Sequence, residues 1–453
     1  MDIRTYTGHL TPGAPDYVYL PVSVPPGTSR IGVRYSYDRV PGNACDIGVF
    51  DERGTAVGFR GWSGGARDQF EIGPYEATPG YLPGPVGAGT WHVVLGPYTV
   101  APGGMDYTVT VTLADEPVPA ARPAVPGGFP PADTGRGPGW YRGDCHLHTV
   151  FSDGRRTPGE VAAAARARGL DFLGSSEHNT PASHPAWGAH AGPDLLVLTG
   201  EEITTRNGHC LAIGLPPGTW IDWRFRAADG VFDGIADQVR EAGALLVPAH
   251  PYGTCVACSW KFGYARADAI EVWNGSWELT DEATLAMWDG LLVAGDRWIP
   301  AMGNSDAHAH DDVVGLPQTV VYADALSRTG ILAGIAAGRS WIADDAGVGL
   351  TFEVSAGGTR AGIGERLAAG PDTPVTVALD VTGVPDGTVR LVTDRGTVHT
   401  APADGPVRWT TTARYTNYVR AEVRHDDDVT PYGSMAAMTN PVFVDRADAV
   451  RAG

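Results

Sequence analysis

The amino-acid sequence predicts a central α/β unit, a parallel sheet or barrel, set between two β-sandwich units. Three observations carry that reading: alternating strand-length runs without helices at both ends, a proline-rich stretch ahead of residue 140, and a strand–loop–helix rhythm in the middle. A chain of 453 residues is also too long for one ordinary core and has room for about three.

Near the N-terminus, Ser29–Tyr37, Thr90–Leu95 and Tyr107–Leu113 alternate apolar and polar residues between Gly and Pro clusters. That is the period of strands buried on one face, so residues 1–115 read as a β-sandwich. Residues 116–139 hold Pro117, Pro119, Pro123, Pro126, Pro130, Pro131 and Pro138, too many for helix or sheet, and read as a stiff linker. The α/β unit spans 140–346. Its first strand, Cys145–Thr149, precedes a helix announced by the capping box of Thr157 and Glu160, with Pro158 at the first helical position. Strands Asp171–Glu177, Leu195–Thr199 and Gly208–Leu215 follow, then a helix with Val231, Ile235 and Val239 on one face. Strands Ala244–Ala249 and Ala269–Trp273, a helix Glu282–Val293 and a strand Trp298–Gly303 complete the series. From 347 to 453 the strands return without helices, as in Val375–Val381 and Thr388–Val392, and predict a second, immunoglobulin-like sandwich.

Composition narrows the function classes. Apolar residues at 43% and charged residues at 19% are those of a folded chain. A formal charge of −19 repels a phosphate backbone and argues against nucleic acid as a partner. A bound metal cluster would still attract a small anion, because divalent ions dominate the local field. Cys45, Cys145, Cys210, Cys255 and Cys258 are too few, and odd in number, for a disulfide-stapled secreted domain. Cys255 and Cys258 form one CxxC without the second ligand pair of a structural zinc, and read as ordinary loop or core cysteines. The start, MDIRTYTGHL, lacks the basic and apolar regions of a secretory signal, and no apolar run is long enough to span a bilayer. A soluble, cytoplasmic protein without a membrane partner is expected.

Nine of the thirteen histidines lie between His146 and His310, most of them where an expected strand ends. His146 and His148 flank Leu147, and Asp306 and His308 flank Ala307; a period of two turns each pair to one face of its strand. His178, Glu202 and His250 end other strands, and His209 sits on the strand that follows Glu202. In a parallel α/β barrel such ends share one mouth. Clustered imidazoles and carboxylates there suit two or three divalent ions, Zn, Mn or Fe, as cofactors. His184 and His190, in a Pro/Ala/Gly loop without partner spacing, read as loop residues.

The segments GDCHLHTVFSDG (143–154), SEHN (176–179), GEEIT (200–204), GHCLAIG (208–214), AHP (249–251) and GNSDAH (303–308) resemble, in order, the motifs of the PHP (polymerase and histidinol phosphatase) superfamily. The flanking β-units are similar to those of its CehA/McbA-like branch of metallohydrolases, which includes carbamate hydrolases. The resemblance implies a distorted (β/α)7 barrel. It implies His146, His148, Glu202 and Asp306 as ligands of a first metal, with Glu202 bridging to a second that His209 and His250 complete. Asp153, His178 and His308 match the ligands of a third. The usual Asp before the histidine of the second motif is here Glu177. The choice of Glu202 over Glu201 comes from motif alignment alone.

Two ions sharing a hydroxide would aim it at an electrophile near neutral pH, and a third would bind a substrate oxygen. Asp306 and Glu177 are candidate proton carriers, and Arg339, in AGRSW, a candidate clamp for an anionic group. The expected function is hydrolysis of a phosphate mono- or diester, since three cations suit three non-bridging oxygens. The alternative is a carbamate, ester or amide, which Trp260, Phe262, Trp273 and Trp277 would favour if they line the pocket. A non-catalytic metal-binding scaffold is a third reading, and the filled ligand positions argue against it. The partner is a small-molecule substrate, and the terminal sandwiches read as covers that shape the mouth. Oligomeric state has no signature in the sequence.

Overall fold

The computed structural model describes residues 1–117, 128–295 and 297–447. Much of the expected proline linker, residues 118–127, lies outside the described residues. The N-terminal alternation produces two four-stranded antiparallel sheets. Asp2–Leu10, Met105–Ala114, Arg30–Tyr37 and Gln69–Ile72 form one in that order, and Val18–Val24, Gly89–Thr99, Ala44–Phe50 and Phe59–Gly64 the other. Ile31, Val33 and Tyr35 turn inward at a period of two and meet Ile47, Val49, Trp91 and Val93 in one core. The outer face of the second sheet is apolar as well: Phe50, Phe59, Trp62 and Val94 pack against Ile203, Cys210, Trp223 and Phe225 of the central unit. The two units are thus joined by a buried interface rather than by a linker alone.

In the central unit, Leu245–Pro248, Gly208–Ile213, Leu196–Thr205, Phe172–Ser175, Gly139–Asp144, Gln318–Ala323 and Ser340–Ala343 lie side by side in that order. Ile270–Asn274 and Ala301–Asn304 pair with each other in parallel as a separate ribbon. Helix Pro158–Ala167 carries the expected capping box, with Thr157 accepting from the Glu160 amide and Glu160 reaching back. Helix Leu279–Ala294 buries Leu285, Trp288 and Leu292 on one face and stops at Gly295, whose φ of 73° only glycine adopts readily.

The expected (β/α)7 barrel flanked by sandwich units is not what forms. Strand makes up 41% of the structure and helix 13%, whereas seven β/α units need a helix after every strand. Leu196–Thr205 instead turns through Arg206 and Asn207 directly into Gly208–Ile213, an antiparallel hairpin with Thr205 opposite Gly208. So short a connection can only reverse the chain, because a parallel return needs a crossover of a dozen residues or so. Gly208, at φ 112°, makes the turn, and a Cβ there would lie 2.6 Å from the Cα of Trp260. Gln318–Ala323 likewise runs antiparallel to both neighbours. Nor do the C-terminal strands simply flank the center. Met435–Thr439 pairs with Ser340–Ala343, and Tyr418–Arg424, Thr388–Thr393 and Gly396–Pro402 extend the same sheet. A second sheet, Thr359–Gly362, Gly349–Ala356, Pro374–Thr382 and Val407–Thr412, covers that extension over Val354, Val377, Leu379, Leu391, Val419 and Val423. Among the described residues no helix is long and apolar enough to cross a membrane.

Candidate metal centre

Five polypeptide segments bring the expected ligands together. His146 and His148 follow the strand ending at Asp144, and their rings are 5.2 Å apart. A parallel bridge between Leu147 and Ala307 sets this segment beside Asp306 and His308, and a second, between His178 and Glu202, joins the next two. His209 enters from the hairpin and His250 follows Leu245–Pro248. Asn179, His250 and Asp306 have φ of 56°, 28° and 51°, so the backbone holds uncommon left-handed conformations where it aims these side chains.

Glu202 is the hub. Its Oε2 lies 3.5 Å from Nε2 of both His146 and His148 and 2.8 Å from Nδ1 of His178; its Oε1 lies 3.0 Å from Nδ1 of His209 and 3.3 Å from Nε2 of His250. Adjacent residues of a strand face opposite ways. Glu201 accordingly points to the other side, where it accepts from the Ile221 amide at 3.0 Å. Asp306 Oδ1 is 3.2 Å from His146 Nε2, 3.1 Å from His148 Nε2 and 3.4 Å from His308 Nδ1. Asp153 Oδ1 sits 3.5 Å from His178 Nε2 and 3.3 Å from His308 Nε2, at the more open edge of the group.

Whether these residues suit a cation is answered by atoms that lack partners. Nε2 of His146, His148 and His209, Nδ1 of His250, Oε2 of Glu202 and Oδ1 of Asp306 are buried without an aligned hydrogen bond. An unsatisfied buried polar atom costs about 1–3 kcal/mol, and four of these converge: Nε2 of His146 and of His148 each lie 3.1–3.5 Å from Glu202 Oε2 and Asp306 Oδ1, and the four need a common partner. Those of His209 and His250 are the ring nitrogens opposite the ones that face Glu202. Imidazole nitrogen and carboxylate oxygen are the donors of a divalent transition metal, and the set fits one. His148, Asp153, His178 and His308 form one group with ligand atoms within 4.8 Å of one another; His146, His148 and Glu202 form a second, and His146, His250 and Asp306 a third. Burial alone would raise the Glu202 acid, but His178, His146 and His209 hold it well below the carboxylate range. Burial, reinforced by His308 and His178, drives His148 down to about 3, leaving its imidazole neutral as a ligand must be.

A shell behind the ligands was not foreseen. Glu271 lies 3.0 Å from His146 Nδ1 and accepts from Asn304 Nδ2 at 2.9 Å, Asn274 Nδ2 at 3.0 Å and the His250 amide at 2.8 Å. It fixes the His146 tautomer with Nε2 toward the cluster. Asp144 accepts from the amides of His146, Ser305 and Gly315 and so locks the two ligand-bearing segments together. The sequence signal for Glu271 is an acid inside the apolar strand Ile270–Asn274, which needs partners to be buried there.

Several expected residues lie elsewhere. Glu177 turns from the cluster: its carboxyl accepts from the Thr149 amide and hydroxyl and from Ser152 Oγ, and burial pushes its pKa up. It braces the loop that carries Asp153 rather than facing a substrate. Arg339 lies over Tyr322, whose strand pairs it with Trp140, roughly 20 Å of extended chain before His146. It cannot clamp a group at the cluster. Trp260 and Phe262 pack with Phe232, and Trp273 and Trp277 with helix Leu279–Ala294, all as core. His184 bridges the Gly200 carbonyl and the Gly218 amide, and His190 packs beside Gly159. Cys255 and Cys258 are joined as a disulfide, with Cys258 beside His209 and His250. The cavity at the cluster, about 400 Å³, is walled instead by Tyr17, Trp62, Tyr98 and Trp223, three of them from the N-terminal unit.

No protein-family model and no curated protein matches the chain. Among solved structures, a two-domain protein from Bacteroides vulgatus, described as containing a predicted PHP-like metal-dependent phosphoesterase, is similar at 17% identity and a TM-score of 0.38, over 71% of this chain and 100% of that one. An active-site mutant of a family two carbohydrate esterase from Clostridium thermocellum is similar at 11% identity and a TM-score of 0.17, over 73% and 91%. Likenesses this loose carry no argument about fold or activity, and neither bears on the CehA/McbA-like branch.

Proposed function

We propose that the chain is a metal-dependent hydrolase acting on a phosphate mono- or diester. The observation that carries this reading is the convergence of four unpartnered buried ligand atoms, from His146, His148, Glu202 and Asp306, with His209 and His250 on the other oxygen of Glu202, beside an open cavity. The chemistry that divalent ions supply when held there is the acidification of water and the neutralisation of phosphoryl charge. The protein's own contribution is position. Glu271 and Asp144 fix His146 and Ser305, Glu202 draws five imidazoles around one carboxylate, and the aromatic walls exclude water from one side. Asp306, with Oδ1 among the imidazoles and Oδ2 3.4 Å from Asn274 Nδ2, is placed to take up a proton at the cluster. Asp153, His178 and His308, at the open edge, supply the extra charge-binding position that a group with several anionic oxygens demands and a lone carbonyl does not.

The test is a screen of the metal-loaded protein against phosphomonoesters, phosphodiesters, aryl carbamates and carboxylic esters. Phosphoester turnover is expected, with competitive inhibition by inorganic phosphate. His308→Ala should lower phosphoester kcat/KM by about 100-fold or more, on the scale of losing one charge-stabilising group. Turnover of carbamates or carboxylic esters alone, indifferent to phosphate, would overturn the substrate class. Loaded protein without turnover of any class would overturn the enzyme reading.

A further inference from the structure

We infer that Arg206 and the N-terminal unit form a subsite for a second anionic group on the substrate, a carboxylate or phosphate borne on a flat ring. The inference rests on the phosphoester reading of the cluster. Arg206 stands at the turn of the hairpin whose two strands carry Glu202 and His209, so it is attached to the metal centre through a few residues of rigid backbone. Its guanidinium lies 4.0 Å above the Tyr98 ring and 6.0 Å from Tyr17, which orient it by cation–π contact. Both Nη atoms are buried and without a hydrogen-bond partner. Among the described residues no carboxylate lies within ion-pairing distance, although arginines buried elsewhere in this chain, such as Arg420 and Arg424, are paired. A buried, unpaired guanidinium is costly unless an anion completes it, and its fork matches carboxylate or phosphate oxygens two at a time.

The surroundings define the rest of that ligand. The cavity that holds Arg206 also holds Asp153, His178 and His209, so a molecule there reaches both the open edge of the cluster and the arginine. Trp62 and Trp223, with ring centroids 4.7 Å apart, and Tyr17, edge-on to both at 6.2 Å, give it flat apolar walls. About 400 Å³ takes one substituted aromatic ring. Asp46, the one acid contributed by the N-terminal unit, is pushed up to about 6 by burial, with the Arg206 charge partly opposing that rise, so an anion bound beside it would favour its protonated form further. The N-terminal unit is held against this cavity by contacts that leave little room for movement: Tyr98 donates to the Val256 carbonyl at 2.8 Å, and Thr180 to the Gly80 carbonyl at 2.9 Å. A Cβ at Gly80 would lie 2.9 Å from the Phe151 carbonyl.

The experiment compares kcat/KM for phenyl phosphate, 3- and 4-carboxyphenyl phosphate and 1,4-phenylene bisphosphate on the metal-loaded protein. A ratio taken on one preparation cancels its folded fraction, so partial misfolding of a variant does not distort it. At least one doubly anionic substrate should exceed phenyl phosphate by roughly 10- to 100-fold, the range of a hydrogen-bonded charge pair. Arg206→Met should bring that ratio to near one, and Arg206→Lys should keep part of it. A ratio near one in the wild type, or one that survives Arg206→Met, would overturn the subsite. If no phosphoester is turned over, the parent reading fails while the subsite remains testable. Benzoate should then quench the tryptophan fluorescence of the purified protein saturably, and lose that effect in Arg206→Met; quenching that is absent, or unchanged by the substitution, would overturn the subsite.

Discussion

Glu271 offers the sharpest test of the metal centre, because the cost of altering it can be worked from its partners. Oε1 faces His146 Nδ1 and Asn304 Nδ2, and Oε2 faces Asn274 Nδ2 and the His250 amide; all four are donors. Glu271→Gln keeps the shape but must turn its NH2 toward one of these pairs. Toward Asn304 there is no relief, since the Asn304 oxygen is already committed to the Cys145 amide at 2.8 Å. Toward Asn274 the neighboring amide can rotate, but the His250 N–H cannot. The better orientation therefore leaves one buried donor unsatisfied, about 1–3 kcal/mol, while sparing the contact with His146. Glu271→Ala removes all four contacts and frees the His146 ring. Loss of an orienting partner typically weakens metal binding by about 10- to 100-fold, so the Gln variant should fall near the lower figure and the Ala variant near the upper. Competition against a chelating indicator gives the affinities, and thermal unfolding of the metal-free proteins reads the structural cost separately. Wild-type metal affinity in both variants would show that His146 does not bind through the nitrogen opposite Glu271, and the ligand assignment would fail.

The adjacent acids should behave oppositely. Glu202→Gln should abolish metal retention, since an amide cannot gather five imidazoles around a negative charge, whereas Glu201→Gln should retain it, because burial already raises the Glu201 acid well above its ordinary value and an amide oxygen can still accept from Ile221. Metal content of the two purified variants decides this, and equal losses would contradict it. At the other end of the molecule, burial alone would raise the Glu422 acid, but Arg420 and Arg424 override it and hold it at about 2 against an ordinary 4.5. The folded acid lies below the unfolded one, so its ion pairs stabilise above pH 4.5 and that contribution is lost as pH falls toward about 2. Glu422→Gln leaves Arg420 paired with Asp289 and Arg424 with Glu282 but removes the buried charge between them, and should cost about 1.5–3 kcal/mol at pH 7, the worth of a hydrogen bond to a charged group. Its stability should also fall less steeply with acid, and urea midpoints from pH 2 to 7 showing parallel curves would refute the assignment.

What was legible in the sequence and what was not follow from how locally each feature is determined. His146 with His148, and Asp306 with His308, could be read because a strand imposes a period of two and metal chemistry restricts the residue types. Glu202 could be separated from Glu201 by motif alone; the strand Leu196–Thr205 turns that choice into geometry by sending the two acids to opposite faces. The barrel was overread. Between Leu195–Thr199 and Gly208–Leu215 there is no helical stretch, and that absence already favoured the hairpin over a crossover. The continuation of the central sheet could not be read in this way, since Trp341 pairs with Thr439 across nearly a hundred residues and no local pattern records it. The same limit governs the substrate side. Tyr17, Asp46, Trp62 and Tyr98 reach the cluster only because Phe50, Phe59 and Val94 seat the N-terminal unit on the hairpin, and Arg206 is an ordinary turn residue until that unit encloses it. Ligands obey rules carried by a few residues of their own strand, whereas the walls of the cavity depend on how two units dock. The candidate metal-binding residues can therefore be read from short segments, whereas the walls that would select a ligand come from an interface.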